Sequence, residues 1–482
     1  MSKPNILQKI IAHKIDEVAG DKVALPLAQF IADITPSQRD FRAALLQPGA
    51  RFILECKKAS PSKGLIRANF DLNEIAQVYG RYADCISVLT DRHFFQGSYD
   101  YLQQMRALVD LPLLHKDFII DRYQIYRGRA CGADAVLLML SVLNDDEYRD
   151  LAALAHELNM TVLTEVSNEE ETLRAVALNA ELIGINNRDL RTLETDLATS
   201  HRLAKLVPAG TPLVSESGIY HNQQVRALSE VAEAFLVGSS LMAQADLAKA
   251  VHALTRGEHK VCGLTTPEQA QAVAQAGALY GGLIFYPPSP RFVTQQQAKS
   301  ICAAAPLQFV GVFVNEALAQ VALVARELNL AAVQLHGDED DSYLSTLRSL
   351  LPAGTAIWKA YRVKSELPQF SQLADRIVLD AYQPGIPGGT GLTFDWQLLH
   401  QHTLSKPVML AGGLMPDNVT DALKMPVSGL DLNSGVESAP GVKDPAKIAA
   451  TFANIRAFRA VGSPPLSTQQ PELQPEFKRV TL

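Results

Sequence analysis

The sequence predicts an α/β chain of two tandem (β/α)8 TIM barrels, the first with an N-terminal helical extension. Three observations carry this. Short β-branched apolar runs alternate with amphipathic helical segments, the mark of repeated βα units around a parallel sheet. The runs form two sets of eight. Both sets also close alike: SESGI (215–219) is followed by FLVGSSLM (235–242), and AGGL (411–414) by GLDLNSGVE (429–437). In each pair an apolar run stops at glycine and small hydroxyl residues. Loops after the seventh and eighth strands of such a barrel cradle phosphate in this way, with backbone N–H groups and a short helix N-terminus. Two phosphorylated small-molecule substrates are expected.

Residues 1–48 read as helical, with apolar positions Ile6, Ile10, Ile11 and Ile15 and a second stretch from Leu25 to Leu46. They are extra to the first barrel and should cover its bottom or help close its top. The first eight strands are FILECK (52–57), CISVLT (85–90), LPLLHK (111–116), AVLLML (135–140), TVLTEV (161–166), LIGINN (182–187), PLVSES (212–217) and FLVGSS (235–240). The second eight are KVCG from 260, GLIFY (282–286), QFVGVFV (308–314), AAVQLHG (331–337), AIWKAY (356–361), RIVLDA (376–381), PVMLAGG (407–413) and GLDLNS (429–434). The join falls at TRGEH (255–259), giving domains 1–255 and 256–460. Residues 461–482 are rich in Pro, Ser and Gln, cannot bury a core and are expected to be a disordered tail.

A length of 482 residues fits about two or three domains. A net charge of -7 with interspersed acids and bases implies neither a nucleic-acid nor a membrane partner. The charged, amphipathic N-terminus has no signal-like apolar core, and no apolar run reaches the ~18–20 residues of a membrane span. A cytoplasmic, monomeric protein is expected. Five scattered cysteines without metal-like spacing read as reduced thiols, and no metal or cofactor is expected.

Polar residues that end apolar strands face the mouth of such a barrel. Glu55 and Lys57 lie two apart at the end of the first strand and so share a side. Lys116 ends the third strand and Glu165 the fifth. Asn186 and Arg188 follow the sixth, and Glu216 with Ser217 ends the seventh. Buried lysines and carboxylates often pair simply for satisfaction. Interleaved at one mouth, where each shifts the other's pKa, they also suit general acid–base work.

ECKKASPSKG (55–64), LLHKDFIID (113–121), LTEV (163–166), IGINNRDL (183–190), SESGI and LVGSSLM together resemble the indole-3-glycerol-phosphate synthase family over residues 1–254. That resemblance implies pyrrole ring closure of 1-(2-carboxyphenylamino)-1-deoxyribulose 5-phosphate, with loss of carbon dioxide and water. It implies Lys116 as general acid and Glu165 as acid or base of the dehydration. Glu55, Asn186 and Glu216 would orient substrate and stabilise charge. Lys57, Ser60, Ser217, Gly218, Gly238 and Ser239 would bind phosphate or hold its cradle, with Arg188 near the anthranilate carboxylate. Proton transfer by Lys57 or Glu55 stays open.

In the second half Cys262 ends the first strand and is followed by glycine, a position that favours chemistry over packing. Cys302, on a helical segment, reads as a small buried hydrophobe. Asp380 ends the sixth strand, where a carboxylate is costly without a partner. Arg291 follows the second strand and could grip a carboxylate bidentately. GIPGGTG (385–391) reads as a mobile or anion-binding glycine loop, of a kind that occurs widely. KVCGLT, IFYPPSPRFV, VQLHGDE, VLDAY with PGGTGLTFDW, LAGGL and LDLNSGVE together resemble the phosphoribosylanthranilate isomerase family across 260–458. The resemblance implies an Amadori rearrangement with Cys262 as general base, Asp380 as general acid and Arg291 on the anthranilate carboxylate. His336 would line the pocket. Gly388, Gly389, Gly412, Gly413, Ser434 and Gly435 would contact phosphate.

The isomerase product is the synthase substrate, so the resemblances point to one bifunctional enzyme of tryptophan biosynthesis. Two other readings stand beside it. One is a pair of other phosphosugar isomerases or aldolase-like barrels with different proton-transfer groups. The other makes one half a non-catalytic phosphosugar sensor, which would need the cradle but neither Glu165 nor Cys262.

Overall fold

Sixteen parallel strands close into two eight-stranded barrels in a computed structural model that describes residues 5–381, 393–402 and 404–459. The first comprises β1 (Arg51–Cys56), β2 (Cys85–Leu89), β3 (Leu113–Lys116), β4 (Ala135–Met139), β5 (Thr161–Val166), β6 (Ile183–Asn186), β7 (Leu213–Glu216) and β8 (Ala234–Val237). β1 pairs with both β2 and β8, which closes the ring. The second comprises β9 (Lys260–Val261), β10 (Tyr280–Ile284), β11 (Gln308–Phe313), β12 (Ala332–Leu335), β13 (Ala356–Val363), β14 (Arg376–Ala381), β15 (Val408–Ala411) and β16 (Gly429–Leu432). β9 closes it against β10 and β16. Each strand coincides with an apolar run in the sequence, but most stop one to three residues earlier than that run, because the terminal polar residues already belong to the loops. The extreme tail, beyond Arg459, lies outside the described residues.

The N-terminal extension differs from its expected form. The helix Ile6–Ala24 opens on a capping box in which Asn5 and Gln8 satisfy each other's backbone N–H groups. Its buried face is Leu7, Ile10, Lys14 and Val18, whereas Ile15 is 56% exposed. At 3.6 residues per turn Ile11 and Ile15 flank the apolar stripe, and the stripe carries a lysine. The second expected helix, Leu25 to Leu46, does not form. Two 3₁₀ turns and an extended segment lead instead to the short helix Phe41–Leu45. Pro26 and Pro36 explain this, since each removes a backbone donor and biases its predecessor away from the helical region.

The extension does both jobs proposed for it. Ile6 and Ile10 line the pocket at the mouth of the first barrel. Phe41 and Leu45 close its bottom, where the Phe41 carbonyl lies 3.7 Å from the sulfur of Cys85, the first residue of β2. Leu7, Ile10, Phe41 and Leu45 form one cluster with the inward side chains Ile53, Leu114, Leu137, Leu163, Val214 and Leu236. The second barrel closes its floor differently. Arg376, the first residue of β14, lies 4.8 Å from the Trp358 ring, pairs with Glu258 at 2.7 Å and flanks an edge-on Tyr280–Trp358 contact. Stacking of a buried guanidinium on indole takes the place of an apolar plug.

The barrels touch through buried polar contacts. Arg226 donates to the carbonyls of Leu423 and Val427, and His252 bridges Tyr82 (3.2 Å) and the Gly277 carbonyl (3.0 Å). His259, within the expected TRGEH link, is buried and accepts from the Leu430 N–H. No helix among the described residues is long and apolar enough to cross a membrane.

Candidate active sites

A pocket opens at the C-terminal end of the strands in each barrel. In the first it is lined by every residue singled out there: Glu55, Lys57, Ser60, Lys116, Glu165, Asn186, Arg188, Glu216, Ser217, Gly218, Gly238 and Ser239. Lys116 stands between two carboxylates, its Nζ 3.2 Å from Glu165 Oε2 and 3.2 Å from Glu216 Oε2. Asn186 Nδ2 donates to the other oxygen of Glu165 at 3.1 Å, fixing its plane. Lys57 Nζ sits 2.5 Å from Glu55 Oε1 and 5.8 Å from the Phe95 ring centroid. Arg188 reaches Ser62 at 2.9 Å, on the loop after β1.

One ammonium shared by two carboxylates leaves one acid under-compensated. Burial raises the Glu216 carboxyl to about 7 with Glu165 adding to the effect, although Lys116 opposes both. Burial works against the charge on Lys116, yet Glu216 and Glu165 outweigh it and raise its pKa, so the ammonium persists at neutral pH. Glu216 Oε1 is buried without a hydrogen-bond partner among the described residues, and Glu216 lines the pocket.

Two glycines make room for these carboxylates. A Cβ on Gly184 would lie 2.1 Å from Glu216 Oε1, and one on Gly238 would lie 2.4 Å from Glu55 Oε1. Gly238, expected from the sequence only as part of a phosphate cradle, is thus also the space into which Glu55 fits.

The cradle geometry repeats between the barrels. The two residues after β7 are Ser217 (φ 69) and Gly218 (φ 78), and those after β15 are Gly412 (φ 86) and Gly413 (φ 62). Successive left-handed residues turn backbone N–H groups toward one concavity, and a serine held there is uncommon. Asn187 Nδ2 ties this turn down by donating to the Ser217 carbonyl at 3.1 Å. After β8 and β16 the chain again behaves alike. Gly238 and Asn433 adopt similar backbone angles and begin the short helices Ser239–Met242 and Ser434–Val436.

The second pocket is lined by Cys262, Arg291, His336, Asp380, Gly412, Gly413 and Ser434. Gly435 lies behind it, where a Cβ would meet the Leu414 carbonyl at 1.9 Å, so its part is close packing of the last two loops. Gly388 and Gly389, with the whole glycine loop 385–391, lie outside the described residues. Arg291 is already engaged: Nε and Nη2 hold Glu437 at 2.9 and 2.8 Å, and Lys443 shares that carboxylate at 2.7 Å.

The sequence reading did not pick out Lys260, Gln334 and Asp431, all buried near Cys262. Lys260 Nζ donates to Asp431 Oδ2 (2.7 Å) and Gln334 Oε1 (2.9 Å), and Gln334 Nε2 lies 3.3 Å from His336 Nδ1. Since the Gln334 oxygen accepts from Lys260, its amide donates to Nδ1, which assigns the neutral His336 proton to Nε2. That nitrogen lies 3.6 Å from Asp380 Oδ2. A polar chain thus runs across the floor from beside Cys262 to Asp380. The available signal was period two: Lys260 precedes Cys262 by two residues, as Gln334 precedes His336. Among the described residues no His, Cys, Asp and Glu cluster could hold a metal ion.

Comparison with known proteins assigns both halves. Residues 7–254 match the family model of indole-3-glycerol phosphate synthase, and residues 259–454 match that of N-(5'phosphoribosyl)anthranilate (PRA) isomerase. The tryptophan biosynthesis protein TrpCF of Vibrio cholerae is 55% identical over 454 residues, covering 94% of this chain and 96% of the relative. Its counterpart in Vibrio parahaemolyticus is 54% identical over 460 residues, covering 94% of each. A crystal structure of phosphoribosyl anthranilate isomerase from Thermus thermophilus aligns with 41% of this chain and 98% of its own, at 31% identity and a TM-score of 0.37. The chain belongs to the two-barrel family of tryptophan-biosynthesis proteins that joins an indole-3-glycerol phosphate synthase to a phosphoribosylanthranilate isomerase.

Proposed function

We propose that each mouth performs its reaction with the residues already named, divided between domains 1–255 and 256–460. The chain is a bifunctional enzyme of tryptophan biosynthesis. In the C-terminal barrel Asp380 protonates the ring oxygen of N-(5-phosphoribosyl)anthranilate as the sugar opens. Cys262, as thiolate, takes the proton from C2′, and the aminoketose results. His336 lines the pocket beside Asp380. Arg291 meets the anthranilate carboxylate with its Nη1 edge, since Glu437 occupies the rest of the fork. Phosphate rests on Gly412, Gly413, Ser434 and the glycine loop that contains Gly388 and Gly389.

In the N-terminal barrel Lys116 protonates the ribulose carbonyl oxygen as the ring closes, and Glu165 serves as acid or base of the dehydration in which the resulting hydroxyl leaves as water. Glu55, Asn186 and Glu216 orient substrate and balance the positive charge that develops at nitrogen. A carboxylate fixed beside a developing cation needs no reorganisation at the moment of reaction. Lys57, Ser60, Ser217, Gly218, Gly238 and Ser239 hold the phosphate, and Arg188 the anthranilate carboxylate.

The observation that carries this reading is the placement of Lys116 between Glu165 and Glu216, directly beside the left-handed turn Ser217–Gly218. A phosphosugar sensor needs the turn but not an ammonium held between two buried acids. Because each mouth is complete within one chain, we infer a monomer, acting in the cytoplasm on phosphorylated small molecules. The test follows the fluorescence of phosphoribosylanthranilate with purified protein and no added metal, then assays indole-3-glycerol phosphate. Loss of the fluorescent substrate without the final product would refute the synthase half, and no loss at all the isomerase half.

A further inference from the structure

Lys260 is fully buried in the second barrel, and the steps above do not use it. It lies on β9 two residues before Cys262, so both side chains enter the barrel from the same strand. Room for the pair comes from Gly282 on the neighbouring strand, where a Cβ would lie 2.8 Å from both Cys262 Sγ and Lys260 Cε. Two of the ammonium protons go to Asp431 and Gln334, which leaves the third for the Cys262 sulfur that adjoins Lys260 across Gly282. Packing alone would fill this layer with an apolar side chain, because a buried ion pair rarely adds stability over a hydrophobic replacement.

We propose that Lys260 is a positioning residue of the isomerase barrel, whose ammonium, braced by Asp431 and Gln334, holds the Cys262 sulfur in place and stabilises it as thiolate. This rests on the reading of Cys262 as the base. The thiolate accepts the C2′ proton and becomes the neutral thiol, and Lys260 keeps its own proton throughout. Charges face the sulfur from several elements. Burial pushes the Cys262 thiol up, Lys260 opposes this, Asp431 on β16 reinforces it, and Lys443 lowers it again. Arg291 approaches from the loop after β10, paired with Glu437, while Asp380 and His336 line the same pocket from β14 and the end of β12. Lys260 acts on the sulfur more strongly than Lys443 does, and its removal leaves the buried Asp431 charge without its cation beside the thiol.

The experiment is alkylation of Cys262 by iodoacetamide, followed by mass spectrometry across pH in the full chain. It compares the parent with Lys260→Met, Lys260→Gln and Lys260→Arg. Met and Gln should each raise the alkylation midpoint by about one pH unit or more, so that alkylation below the midpoint slows about tenfold. The acid limb of isomerase kcat/KM should move with it, and Arg should restore both. Synthase activity in the same sample reports folding of the chain. If Met fails to fold, Gln, which keeps a donor without the charge, decides. An unchanged midpoint in a folded neutral variant would overturn the proposal, even if turnover fell. Loss of the base reading is separately visible, as full isomerase activity in Cys262→Ala.

Discussion

Lys14 Nζ lies 2.8 Å from Asp117 Oδ1, so the only lysine on the buried face of the N-terminal helix grips the residue next to Lys116. Asp91 at 2.9 Å and Glu17 at 3.0 Å complete the cage, and Thr90 donates to Asp117 from the other side. The extension is thereby bound to the loops after β2 and β3. Burial disfavours the Asp117 charge, but Lys14 and His115 outweigh it and hold the carboxyl below its ordinary value. Its contribution to stability is present above the ordinary carboxylate range and fades as pH falls through that lowered value.

Removing one partner of such a network leaves uncompensated buried charge, at about 3–5 kcal/mol. Lys14→Met should therefore lose synthase activity at a clearly lower urea concentration than the parent, while the isomerase midpoint hardly moves. Equal shifts of both midpoints would show that the extension stabilises the whole chain and not the first barrel.

Lys116→Ala should lower synthase turnover by about 10²–10⁴-fold, the usual worth of general acid catalysis, and raise KM far less. Steady-state kinetics on the aminoketose decides it. A variant within a few-fold of parental turnover would remove Lys116 from the acid role.

Glu216 gives a signed pH effect. Its carboxyl is raised to about 7 in the folded chain, so the native state holds that proton more tightly than the unfolded chain does. Stability is consequently lost as pH rises from the ordinary carboxylate range to about 7. Glu216→Gln abolishes this penalty, so its melting temperature relative to the parent should be higher at pH 8 than at pH 5. Thermal denaturation at the two pH values is the check, and a difference of the opposite sign would contradict the ionisation state assigned to the site.

Cys262→Ala should abolish isomerase activity, whereas Cys302→Ala should not, because Cys302 sits half-buried on a helix away from the pocket. Mixed in one tube, full-length Lys116→Ala and Cys262→Ala proteins should convert phosphoribosylanthranilate to indole-3-glycerol phosphate through free intermediate. Failure of the mixture, with each intact half active, would imply transfer within one chain.

Fragments 1–256 and 257–482 should each keep their own reaction, with reduced solubility. Separation would expose Arg226, whose guanidinium is held below its ordinary value by burial, together with the carbonyls it bonds. Activity assays on the separate fragments test this, and loss of either reaction despite native circular dichroism would tie the chemistry to the interface.

The barrels and most strand-end residues were legible because both rest on local pattern. A short, continuous apolar run stops where the barrel ends, and the polar residues just past that point face the mouth. Lys14 was not legible, since its partners Asp91 and Asp117 come from distant strands and a lysine in a helix is ordinarily solvated. Lys260 was hidden by the same assumption. The missing helix after Leu25 is a different failure, in which apolar residues at helical spacing outweighed Pro26 and Pro36. Arg291 lines the pocket, but nothing near it in sequence announced Glu437.

The voids at Gly184 and Gly238 bear on how these sites tolerate change. Glu216 and Glu55 occupy volume that any side chain there would claim. A single added methyl group, ordinarily the mildest of substitutions, would therefore act as a rearrangement of charge, pushing a carboxylate away from Lys116 or Lys57. Libraries that diversify only the ionisable residues of this mouth would leave untouched the two positions that set where its negative charge resides.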